Sequence, residues 1–133
     1  MDKKKISYLI LLCLFSLSCT LQADKYETVS PNGKLKIKLK IDKGTQYEVW
    51  YDNTQLILPS PIGLHLADGR VIGNGSVKSV KKRKVNQTID VLVGKNKELQ
   101  DTYNELTVSF NDSCDLVVRA YDEGVAYHFV TRL

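Results

Sequence analysis

Leu35-Lys36-Ile37-Lys38-Leu39-Lys40-Ile41 is the stretch that decides the fold class. Consecutive side chains of a strand point to opposite faces. Leu35, Ile37, Leu39 and Ile41 therefore enter a core, while Lys36, Lys38 and Lys40 meet water. A helix would place Lys38 on the face shared by Leu35 and Leu39, which gives no clean apolar stripe.

Reading onward from Ile41, the same period of two returns. Asp42-Lys43-Gly44 is a turn, with a glycine available for positive φ. Tyr47, Val49 and Tyr51 then share one face, with Glu48 and Trp50 on the other, up to a turn at Asp52-Asn53. Residues 55–58 form a short strand that Pro59 and Pro61 should stop. Ile62, Leu64 and Leu66 alternate up to Asp68-Gly69, a hairpin signal. Val77 and Val80 flank a lysine-rich edge, and residues 88–93 read as a strand with Ile89, Val91 and Val93 aligned. Residues 95–102 are polar and read as a loop with at most one helical turn. Leu106, Val108 and Phe110 alternate before a turn at Asn111-Asp112. Two last strands, 116–121 and 125–131, flank Asp122-Glu123-Gly124, where the glycine is expected in the left-handed position of a bulged turn. The body contains no helical pattern of three turns. Short strands with frequent turn signals predict an all-β fold, an antiparallel β-sandwich.

Reading back from Leu35, the N-terminus has a different character. Lys3, Lys4 and Lys5 precede a nearly continuous apolar run over residues 6–17, followed by small and polar residues up to Ala23. This is the layout of a secretory signal peptide, and the run is short for a spanning helix, which needs about 20 apolar residues. The expected division is a signal peptide at 1–23 and a β-domain at 24–133. The alternatives are an uncleaved anchor and lipidation at Cys19, where Ser18 suits the preceding position but Leu17 is out of register for a leucine-first box. Export makes the product periplasmic or otherwise extracytoplasmic.

Export also frames the cysteines and the charge. Cys13 and Cys19 lie in or beside the leader, so Cys114 has no partner in the body for a disulfide. No base or metal ligand adjoins Cys114 in sequence, which argues for an inert thiol. The formal charge is +4, part of it in the leader. Lys78, Lys81, Lys82, Arg83 and Lys84 form one basic cluster. It has neither interleaved aromatics nor a recognition helix, so it reads as a solvated edge or loop rather than a nucleic-acid surface.

The chain shows no catalytic, cofactor-binding or metal-binding constellation in its sequence. His65 and His128 lie on separate strands and read as surface residues. Asp122 and Glu123 are adjacent in a turn and point apart, which does not suit the paired carboxylates of glycoside hydrolysis. Gly73-Asn74-Gly75 is a turn, without the strand-to-helix context of a phosphate loop. Tyr47, Trp50 and Tyr51 are the candidates for stacking on sugar rings, set against a packing role.

Specific strings add a resemblance. Ser30-Pro31-Asn32-Gly33-Lys34-Leu35, Ser60-Pro61-Ile62-Gly63-Leu64 and Asn104-Glu105-Leu106 resemble landmarks of the N-terminal domain of glycoside hydrolase family 97. Residues 119–129, Arg-Ala-Tyr-Asp-Glu-Gly-Val-Ala-Tyr-His-Phe, are similar to that family's hairpin, with His128 where arginine is more usual. Family 31 glycosidases carry a similar hairpin; the four landmarks in order favour family 97. The resemblance implies the front part of a β-super-sandwich of galactose-mutarotase-like kind, in a calcium-dependent α-glucosidase or α-galactosidase. It implies that the catalytic carboxylates and the calcium belong to the longer enzyme, in which this domain packs on a barrel. The expected chain is a truncated, non-catalytic front portion whose partners are the rest of the parent chain and, secondly, an oligosaccharide. The alternative is a free-standing exported carbohydrate-binding or interaction module.

Overall fold

A computed structural model describes residues 24–90 and 98–132. The leader, Cys13, Cys19, Val91 and Val93 lie outside the described residues. The strands are β1 (Asp24–Val29), β2 (Leu35–Ile41), β3 (Thr45–Tyr51), β4 (Thr54–Ile62), β5 (Leu64–His65), β6 (Val71–Ile72), β7 (Val77–Asp90), β8 (Glu98–Phe110), β9 (Cys114–Ala120) and β10 (Val125–Thr131). They form two four-stranded sheets, β1-β2-β3-β4 and β10-β9-β8-β7, and a small β5–β6 hairpin. Every pairing is antiparallel.

The alternation of β2 dictates its place. Leu35, Ile37, Leu39 and Ile41 are buried between the two sheets, and Val49 of β3 lies opposite Ile37. From the second sheet, Leu106, Val108, Phe110, Leu116, Val118 and Ala120 close the same core. Val117 is buried as well, on the opposite face of β9, so β9 is covered on both sides.

Several local expectations are corrected. Strand β4 runs through Pro59 and Pro61 instead of stopping before them. It is an edge strand with a register shift between Tyr47 and Val49, and an edge or bulge has no need of the missing N–H. Residues 98–102 are strand rather than loop or helical turn, because β7 and β8 continue as a long hairpin. Residues 77–90 form one strand, so the basic cluster lies on a sheet edge. Gly44 and Gly124 do not take positive φ; Asp52 and Asn53 do, at 43° and 65°, the pattern of a type I′ hairpin turn. At Gly69 the expected hairpin forms, with φ at 86°.

Candidate functional site

Three of the sequence landmarks meet at one corner of the sandwich. The chain leaves β1 through Ser30-Pro31-Asn32-Gly33. Ser30 Oγ accepts the Leu35 N–H (3.0 Å), and Asn32 Oδ1 accepts the Lys34 N–H (3.0 Å). Gly33 sits at φ 78°, where a glycine carries no steric penalty. Asn32 N–H donates to Asp122 Oδ1 (2.9 Å), which ties this turn to the β9–β10 hairpin across the sequence. Asn104 of β8 donates to the Val29 carbonyl (2.7 Å), a second tie between the sheets.

Beside this corner is an ion cluster on the outer face of the second sheet. Glu105 is buried and lies opposite both Arg83 of β7 and Arg119 of β9. Arg83 donates through two nitrogens (both 3.1 Å) and Arg119 through Nε (2.8 Å). Desolvation raises the Glu105 pKa, but the two guanidiniums outweigh it and hold the carboxyl below its ordinary value. Arg119 also lies over the Tyr103 ring at 4.7 Å, and Tyr103 meets Tyr121 at 5.0 Å.

Further carboxylates are engaged elsewhere. Asp112 Oδ2 accepts the Gly73 N–H (2.9 Å), and Asp115 pairs with Arg132. Asp122 holds Asn32 while Glu123 is exposed, so these neighbours do not act as a pair. His65 and His128 are both exposed, on β5 and β10 respectively. Cys114 is fully buried at the start of β9, and burial, with Asp112 and Asp115 nearby, pushes its thiol up to about 11. Among the described residues no three His, Cys, Asp or Glu side chains gather as metal ligands.

The aromatic candidates divide as their parity required. Tyr47 packs towards the core and meets Tyr127 at 5.8 Å, Tyr51 is exposed, and Trp50 faces outward. The Lys38 ammonium lies 4.7 Å from the centre of the Trp50 ring and already occupies a position over that face. The arrangement holds two sheets together.

A family profile described as Glycosyl-hydrolase 97 N-terminal matches residues 28–132. The chain belongs to the glycosyl-hydrolase 97 N-terminal family. A member of known activity, the retaining alpha-galactosidase of Bacteroides thetaiotaomicron, is 35% identical over 131 residues. That match covers 97% of this chain and 20% of the galactosidase, so the chain spans about a fifth of that relative. The glycosyl-hydrolase 97 fold is also seen in solved structures. A Glycoside Hydrolase Family 97 enzyme from Pseudoalteromonas sp. strain K8, in complex with acarbose, superposes with a TM-score of 0.67 at 21% identity. It covers 78% of this chain and 17% of its own. A beta-arabinopyranosidase superposes with a TM-score of 0.71 at 18% identity, over 81% of this chain and 18% of its own. The ion cluster and the Asn32–Asp122 tie were not legible in the sequence; only the turn character of Asp122 was.

Proposed function

We propose that this chain acts as the non-catalytic N-terminal portion of an exported α-glycosidase, supporting a catalytic barrel carried by the rest of the polypeptide. The observation that carries this reading is how its buried and landmark carboxylates are used. Glu105, Asp112, Asp115 and Asp122 each hold a guanidinium or a backbone N–H that fixes the fold. A glycosidase acid must be free to give up its proton, and its partner must face it across the sugar. In this reading calcium and any oligosaccharide are bound by the longer enzyme. The purified chain should release no chromophore from aryl α-galactosides or α-glucosides, with or without added calcium. Turnover above a boiled control would overturn the proposal.

Export belongs to the same proposal. Lys3, Lys4 and Lys5 followed by the apolar run support a cleaved leader. Mass spectrometry of the periplasmic product should give Asp24 as the first residue. A diacylglyceryl adduct on Cys19 would instead establish lipid anchoring.

A further inference from the structure

The outer face of the first sheet carries a row of lysines. Lys36, Lys38 and Lys40 alternate with the buried aliphatics of β2, so they stand on one face about 6.8 Å apart along the strand. The strand register gives each a different setting. Lys38 lies between Glu27 of β1 and Glu48 of β3, and it pairs with Glu48 at 3.7 Å. Lys36 lies between Val29 and Trp50. Among the described residues, Lys34 and Lys36 pair with no carboxylate, so positive charge is left uncompensated at this end of the row.

Two grooves run along this row. One, of about 250 Å³, is lined by Lys34, Lys36, Lys38, Trp50, Asp52 and Asn53. The other, of about 350 Å³, is lined by Lys38, Lys40, Gln46, Glu48 and Pro59. Lys38 belongs to both, so the two adjoin as one trough. The Asp52 N–H donates to the Lys34 carbonyl (3.0 Å), which fixes the β3–β4 turn beside Lys34. Trp50 supplies a second, independent observation. Its indole N–H is buried and, among the described residues, has no acceptor. A buried indole N–H usually has one. The Lys38 ammonium lies over a face of the ring, which leaves the ring edge, where the N–H sits, for an acceptor. The lysine stems that wall the groove are flexible and can part to admit it.

We propose that this trough binds an acidic oligosaccharide, with one sugar carboxylate seated between Lys34 and Lys36 and accepting the Trp50 N–H. A carboxylate meets both needs at once: it neutralises the unpaired lysines and gives the indole its acceptor. The rest of the trough favours a sugar over other polyanions. Glu48 and Asp52 repel a chain charged at every unit, such as a nucleic acid or a polyphosphate, but they accept hydrogen bonds from sugar hydroxyls. Gln46 and Asn53 can both donate to hydroxyls and accept from them. A planar anionic membrane does not enter a groove. The ligand is therefore an oligosaccharide in which a carboxylate stands among neutral, hydroxyl-bearing units. The site is built by the first sheet alone and does not depend on which enzyme carries it.

Trp50 is the only tryptophan of the chain, so its signals report on this trough alone. The chain is titrated with glucuronosyl-xylotriose, which carries one carboxylate among neutral sugars, while the indole emission and the indole proton resonance are followed. The emission should change saturably, and the proton should move downfield as it gains an acceptor. Lys36→Gln should weaken binding by about tenfold or more, the loss of one charge-assisted bond. Lys34→Gln, at an exposed position, should do the same, and Lys81→Gln on β7 should leave binding unchanged. Neutral xylotetraose should leave both signals in place; equal binding of it would overturn the charge argument. Inorganic sulfate or free glucuronate binding as tightly as the tetrasaccharide would reduce the trough to a small-anion site and overturn the oligosaccharide. A response to phosphatidylglycerol vesicles and none to the sugar would overturn it in favour of a membrane surface. No response to the tetrasaccharide at concentrations on the order of 10 mM would overturn the proposal outright.

Discussion

At the scale of single residues, Gly73 is set most tightly. It sits at φ 77°, and a Cβ there would lie 2.5 Å from a ring carbon of Phe129. Thr45 and Asp112 fix the same residue from both sides, through its carbonyl and its N–H (2.9 Å each). Gly73→Ala combines left-handed strain with a clash and should cost about 2–4 kcal/mol in urea unfolding. Glu105 gives a pH signature. Its folded pKa lies below its unfolded value, so its contribution is fully present above the ordinary glutamate pKa of about 4.3 and is lost as pH falls through the folded value. Glu105→Gln should cost about 1–3 kcal/mol at pH 7, and in melts the gap to the natural chain should narrow as pH falls below the ordinary glutamate range. Cys114 should resist iodoacetamide in the folded protein at pH 8 and react at a rate set by unfolding, since its thiol is buried and titrates near 11.

At the scale of elements, the outer part of the β7–β8 hairpin stands apart from the core. Asn86–Asp90 and Glu98–Gln100 are exposed, bridged by polar pairs such as Gln87 with Asp101 (2.9 Å). Ile89 and Leu99 face each other across it, 40% and 54% exposed. Replacing both with threonine should shift the unfolding free energy by no more than about 1 kcal/mol, the scale of one cross-strand pair. The same feature explains what the sequence could and could not tell. The alternation of residues 35–41 was legible because one face meets a core and the other meets water. Residues 98–102 carry little alternation because an arm with no core under it has no inside. Pro59 and Pro61 misled because they stop interior strands and are tolerated on edges, and edge status depends on distant strands. The corner site was hidden for the same reason: Glu105, Arg83 and Arg119 become neighbours only through strand pairing.

At the scale of the whole molecule, exposed apolar side chains govern behaviour in solution. Leu56 and Leu58 on β4 are 60% and 70% exposed, and Tyr127 and Val130 on β10 are 47% and 39% exposed. The chain beginning at Asp24 should self-associate in sedimentation, and raising the salt should not disperse it, because apolar contacts are not screened as charges are. A chain that stays monomeric in sedimentation at all concentrations would refute this. The division into two sheets also has a consequence in time. The first sheet is complete at Ile62, whereas the β8 and β9 residues that cover Leu35, Ile37 and Leu39 come after residue 97. At about 5–20 residues per second of synthesis, a naked aliphatic surface precedes its lid by several seconds. Throughout that interval the nascent chain is a substrate for whichever chaperone waits at the tunnel exit.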